Sequence, residues 1–145
     1  MKICIASDHA GFELKAKVIA LLHDLSYEVK DFGPNTLESV DYPDYAKKVA
    51  TSVSSNECQM GVLICGTGLG MSYAANRFKG IRAALCTNEF MARMAKEHND
   101  ANVLVLGARV VGLDLALSIT QVFFSTEFSR NERHIKRVKG IESTC

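Results

Sequence analysis

The chain carries no excess of charge of either sign: 17 Lys and Arg face 16 Asp and Glu, a formal net charge of +1. Bulk charge therefore gives no argument for a nucleic-acid partner or a membrane surface. No apolar run approaches membrane-spanning length. Residues 1–7 are too short for the apolar core of a secretory leader and run straight into Asp8 and His9. The five cysteines are odd in number and contain no CxxC pair, which indicates neither a disulfide framework nor a zinc ribbon. Cys4, Cys65 and Cys86 sit in apolar runs, and buried free thiols suit a reducing compartment, so the cytoplasm is the expected location. There is no repeat, low-complexity tract or interdomain linker. The 145 residues suffice for a single domain, spanning 1–145, with a sizeable core.

What is present is a regular alternation. Short apolar runs at residues 2–6, 27–32, 61–64, 81–86 and 102–106 read as strands. Segments with helical spacing follow at 12–25, 43–54, 71–78, 88–97 and 113–124, with a last, basic helix at 131–141. Pro43 suits a first helical turn, and Asn88 suits an N-cap. Strands alternating with helices predict parallel βαβ units with right-handed crossovers. The expected fold is α/β, a Rossmann-like three-layer α/β/α sandwich around a five-stranded parallel sheet. Strand order does not follow from the sequence.

The chain is organised around one stretch, from Gly61 to Ser72. A strand ends at Cys65, the glycine loop Gly66-Thr67-Gly68-Leu69-Gly70 follows, and a helix begins. Ligands of open α/β sheets sit beyond the carboxyl ends of the strands. A dinucleotide-binding reading fails on detail, because GxGxxG would need glycine at Met71. The next strand also ends at Cys86 and Thr87, without an acidic residue for a ribose. Two readings remain for the loop: a tight turn that needs glycine for packing, or N–H groups that hold a ligand oxygen as it becomes negative. Cys65 is either a small buried hydrophobe or a thiolate base activated at a helix start. Cys4 and Cys86 suit the buried reading, and Cys58 and Cys145 look incidental.

His98 follows the last turn of a helix, where the dipole favours imidazolium; a plain helix-ending histidine is the alternative. Asp8 and His9 are either a turn or a ligand-orienting pair. The last helix holds Arg133 and Arg137 four residues apart, on one face, beside an apolar stripe of Ile135, Val138 and Ile141. It is either a solvated basic face or a phosphate clamp, since guanidinium binds phosphate bidentately. No aromatic interleaving argues for nucleic acid. His98 and the Arg133/Arg137 pair could meet Cys65.

Five blocks resemble one family when taken together and in order. They are Ser7-Asp8-His9-Ala10-Gly11, Asp41-Tyr42-Pro43-Asp44-Tyr45, Ile64-Cys65-Gly66-Thr67-Gly68-Leu69-Gly70, Glu97-His98-Asn99-Asp100-Ala101-Asn102-Val103 and Gly107-Ala108-Arg109-Val110-Val111-Gly112. The family is ribose-5-phosphate isomerase type B, within a wider group that includes galactose-6-phosphate isomerase subunits. The resemblance implies an aldose–ketose isomerase, free of metal and cofactor, that interconverts ribose 5-phosphate and ribulose 5-phosphate through an enediol(ate). It implies Cys65 as the base, His98 as the ring-opening acid with help from Asp8, and Thr67 as the group handling protons on O1 and O2. Some relatives use a glutamate a few residues on; here that region reads Ala74-Ala75-Asn76. Asn99 and the N–H groups of Gly66, Thr67, Gly68, Leu69 and Gly70 would hold sugar oxygens. His9, Arg109, Arg133 and Arg137 match a phosphate cluster, and Tyr42 would line the site. The resemblance also implies a homodimer with shared sites, with a tetramer as the open alternative. The basic C-terminal helix, far from the third strand, could reach across to a partner's site; which residues cross does not follow from the sequence.

Two competing readings stand beside it. One is a galactose-6-phosphate or other hexose-phosphate isomerase subunit; the full His98-Asn99-Asp100-Ala101-Asn102 block favours the pentose enzyme. The other is a non-catalytic sandwich that binds a phospho-ligand.

Overall fold

The computed structural model describes residues 1–143; Cys145 lies outside the described residues. In chain order the elements are β1 (Lys2–Ser7), a single 3-10 turn (His9–Gly11), α1 (Phe12–Asp24), β2 (Glu28–Asp31), α2 (Tyr42–Ser54) and β3 (Met60–Cys65). They continue as α3 (Leu69–Ala75), β4 (Ala83–Leu85), α4 (Glu89–Glu97), β5 (Val103–Gly107), α5 (Leu113–Ser125) and α6 (Glu132–Glu142). The alternation read from the sequence is the alternation observed. Asn88 caps α4 by accepting the Met91 N–H at 2.9 Å, and Pro43 sits in the first turn of α2. The third helix starts earlier than its apolar spacing suggests, inside the glycine loop, and the fourth strand is only three residues long.

All five strands are parallel, in the order β2-β1-β3-β5-β4. β1, β3 and β5 form the centre. β3 and β5 are buried along their whole length, and β1 is buried from Ile3 onward. That is why they read as continuous apolar runs rather than alternating ones. Ile3, Ile5, Val62, Ile64, Leu104 and Leu106 face α1, α4 and α5, which supply Val18, Leu22, Ala92, Ile119 and Phe123. Cys4, Ala6, Leu63, Val103 and Val105 face the other layer, where α2 and α3 supply Ala46, Val49, Ala50, Met71 and Ala75. No helix is long and apolar enough to cross a membrane among the described residues.

The two sheet edges are handled differently. At β2, the buried Lys15 ammonium on α1 binds both oxygens of Asp31 at 2.8 Å and the Pro34 carbonyl at 2.9 Å. At β4, the Asn76 side chain stands in for a further strand. Its Oδ1 accepts the Ala83 N–H at 2.8 Å and its Nδ2 donates to the Ala83 carbonyl at 2.9 Å.

Candidate active site

The carboxyl ends of β1, β3 and β5 are sewn together by backbone. The Asp8 N–H donates to the Ile64 carbonyl at 3.0 Å, Ala108 N–H to Cys65 at 2.8 Å and Arg109 N–H to Gly66 at 2.9 Å. Three glycines permit this closeness. A Cβ on Gly11 would lie 2.7 Å from the Ile64 carbonyl oxygen, and one on Gly107 would lie 2.5 Å from the Thr67 carbonyl oxygen. Gly68 has φ +82°, and its added Cβ would run into Leu85. Gly68 of the loop is therefore glycine for packing and for conformation, whatever else the loop does.

Cys65 is the last residue of β3 and only 5% exposed. Its Sγ accepts the Gly68 N–H at 3.1 Å. An N–H aimed at sulfur favours negative charge there. Among the described residues the other thiols show no such main-chain donor. Burial pushes Cys86 up to about 12. Burial, then the neighbouring Cys58, does the same to Cys4, whose sulfur faces the Val49 and Met60 carbonyls. Cys58 is itself fully buried. Cys4, Cys58 and Cys86 are core residues.

Around Cys65 stand the other residues of that edge. The exposed Thr67 Oγ1 accepts the Leu69 N–H at 3.3 Å. Asp8 is buried, and its Oδ1 accepts the Ala10 and Gly11 N–H groups at 2.9 and 3.1 Å. One carboxylate oxygen thus forms the turn, as the plain reading of that residue holds. His9 is half-buried, and its Nδ1 accepts the Val40 N–H at 3.4 Å. The Arg109 guanidinium lies across Gly66, with Nη1 3.4 Å from where a Cβ would be. The Tyr42 ring lies on Gly70 in the same way, its Cζ 2.5 Å from an added Cβ.

Four predicted residues are elsewhere. α4 returns antiparallel to the strands, so His98 and Asn99 lie where β5 begins, at the amino edge of the sheet. The Asn99 and Asp100 carbonyls accept from Arg82, just before β4, and Asn102 binds the Arg82 N–H. α6 packs at this same edge, through the ion pair of Arg82 with Glu142 and the stacking of His134 on His98. Arg133 and Arg137 are exposed on α6. At about 3.3 Å per residue, the length of β3 alone separates the edges by roughly 17 Å. Within one chain His98 and the Arg133/Arg137 pair do not meet Cys65, and Asn99 lies with them at the amino edge. A residue after a returning helix and before a strand belongs to the amino edge, and the sequence order contained that signal.

The amino edge holds a residue the sequence reading passed over. His134 is 4% exposed and the buried residue of α6, while Ile135 and Val138 are half-buried and Ile141 is exposed. Its ring lies 4.3 Å from that of His98, centroid to centroid, tilted by 36°. Burial first, then the nearby His98, Arg133 and Arg137 charges, hold its imidazole below the ordinary 6.5.

The Ribose/Galactose Isomerase family matches residues 3–141. Ribose-5-phosphate isomerase B of Escherichia coli K12 is 45% identical over 97% of this chain and 93% of its own length. A putative sugar phosphate isomerase of Rickettsia bellii is 49% identical over 97% and 96%. The solved ribose-5-phosphate isomerase B of Clostridium thermocellum superposes with a TM-score of 0.97 at 56% identity, covering 99% of this chain and 97% of that one. The Trypanosoma brucei type B enzyme gives 0.97 at 42% identity, covering 99% and 98%. Sequence and fold agree over the full length of the described chain, and the protein belongs to the ribose/galactose isomerase family and is an isomerase.

Proposed function

We propose that the protein interconverts ribose 5-phosphate and ribulose 5-phosphate, with Cys65 as the base. The observation that carries this reading is the Gly68 N–H aimed at the Cys65 sulfur at 3.1 Å. A thiol that receives a main-chain N–H at the end of a central strand lies where the ligands of open α/β sheets sit. The names and structures of the relatives supply the substrate.

Cys65 removes the proton from C2 of the open aldose. The electron pair moves to O1, which becomes the negative oxygen of an enediolate. Thr67 passes a proton between O2 and O1, and the Cys65 thiol returns its proton to C1. The Gly68 and Leu69 N–H groups already serve Cys65 and Thr67. The remaining N–H groups of residues 66–70 hold the substrate oxygens; one such donor is worth roughly 3–4 kcal/mol. Asp8 keeps the carboxylate oxygen not used by its turn for the sugar. His9 and Arg109 bind phosphate at this edge, and Tyr42 closes the site over Gly70.

Ring opening requires an acid, His98, and the phosphate requires Arg133 and Arg137. These lie at the other edge, so the working site joins the carboxyl edge of one copy to the amino edge of a second. A homodimer with two shared sites follows, and a tetramer would be a pair of these. Apolar side chains beside β4 support it: Tyr73 of α3 and Phe90 and Met91 of α4 are exposed on either side of that edge. Asn99 comes with the second copy and holds a sugar hydroxyl.

A coupled assay on ribose 5-phosphate, allose 6-phosphate and galactose 6-phosphate tests the substrate. Turnover is expected to be highest on the pentose. A preference for either hexose phosphate assigns the chain to the sibling activity, and no turnover on any of them leaves the phospho-ligand-binding reading.

A further inference from the structure

Helix α6 is anchored in an unusual way. It is a polar helix whose buried residue is a histidine, where a leucine would serve anchoring alone. Burying an imidazole costs free energy unless its nitrogens are used. One of them is: His134 Nδ1 lies 2.7 Å from Ser129 Oγ. Ser129 is fixed in turn, since its N–H donates to the Glu97 carbonyl at 3.0 Å and its Oγ accepts the Asn131 N–H at 3.3 Å. If the hydroxyl donates its own proton to Nδ1, the ring proton of neutral His134 sits on Nε2. The outer face of this ring carries the His98 ring, 4.3 Å away. His98 itself is 37% exposed in its side chain and has one close charged partner, Glu97 Oε1, at 3.7 Å from Nε2.

The charged groups around His134 are His98 and Glu97 from the end of α4, and Arg133 and Arg137 from its own helix. Three of the four are cationic or become so, and a second charged imidazole stacked on His98 would be opposed by all three. A flat, buried surface under His98 covers one face of its ring. It also removes most of the rotamers available to a half-exposed side chain at a helix end.

We propose that His134 is a positioning residue for His98: a buried imidazole platform, tethered through Ser129 to the end of α4, on which the acid's ring is stacked and aimed. This rests on the reading of His98 as the ring-opening acid. His134 reaches neither substrate nor phosphate; it acts through His98.

Ribulose 5-phosphate has no free C5 hydroxyl and stays open-chain, so exchange of its C1 proton with solvent needs Cys65 but no ring opening. In His134→Ala, kcat on ribose 5-phosphate is expected to fall by about 10- to 100-fold, the cost of a misplaced catalytic group. KM should stay within about twofold of wild type, since the phosphate ligands are unchanged. C1 exchange in ribulose 5-phosphate should stay near the wild-type rate. His134→Phe keeps a flat ring under His98 and should recover most of the lost kcat, and Ser129→Ala should fall between. Wild-type kcat in His134→Ala overturns the proposal. So does an equal loss of isomerisation and exchange, or a His134→Phe no better than His134→Ala at equal folded content. Wild-type turnover in His98→Ala would instead remove the ring-opening assignment, and the proposal with it.

Discussion

The carboxyl edge of the sheet is built mainly from backbone. Gly68 holds φ +82°, an added Cβ on Gly11 or Gly107 would lie 2.7 or 2.5 Å from a carbonyl oxygen, and the sulfur of Cys65 is met by a main-chain N–H. The amino edge is built from side chains: His98 stacked on His134, Ser129 tying α6 to α4, and Arg133 and Arg137 exposed on one helix. A backbone-built site is rigid and tolerates little change; a side-chain-built site can be adjusted residue by residue. In the proposed function the first supplies a base and oxyanion donors and the second an acid and a pair of guanidiniums, so that on this reading one copy of the chain is half a site twice over.

The sharpest way to break this comparison is at Cys65. Cys65→Ala should reduce kcat by about 10³-fold or more while ribose 5-phosphate still binds, as judged by titration calorimetry. Turnover near wild type would remove Cys65 as the base. Mixing tests the division itself. Cys65→Ala and His98→Ala are each expected to be nearly inactive, yet unfolding and refolding them together should restore activity. Random pairing in a two-fold dimer gives about a quarter of the wild-type sites intact. No recovery would mean that both groups serve the same site from the same copy. Arg137→Ala should chiefly raise KM, by about 10-fold, the worth of one charge-assisted phosphate contact; an unchanged KM would take Arg137 out of the phosphate cluster.

The smallest effect is on stability. His134 titrates below its ordinary 6.5 in the folded chain because it is buried and faces cations. The unfolded chain therefore binds the proton more readily, and the stability present above pH 6.5 is lost as pH falls through the folded value. Melting curves of the wild type should drop further between pH 7 and pH 5 than those of His134→Phe. Parallel curves would show that the buried imidazole carries no such linkage.

The layer architecture was readable because the central strands are buried on both faces and thus continuously apolar. The strand order was not, since nothing in residues 81–86 says that their strand lies beyond the one that follows it. Cys65 was readable as the end of a central run. His98 was readable as a chemical residue but misplaced, because the sheet's two edges were not kept apart. His134 went unnoticed for a physical reason: helical spacing marks Ile135, Val138 and Ile141 as the inward stripe, whereas α6 turns its buried histidine to α4 and leaves Ile141 45% exposed. A polar group is legible as core only once its partner is in view, and Ser129 and His98 lie outside the helix's own pattern.

The Asn76 clip at β4 has a consequence for assembly. An edge strand of three residues, with the N–H and carbonyl of Ala83 already held by an amide, offers too little ladder for another chain to join. The sheet ends there by construction. Two copies meeting beside β4 would do so through side chains such as Tyr73, Phe90 and Met91, so the approach of one copy to the other would be set by shape rather than by strand register, and no chain is added at β4 by extending the ladder.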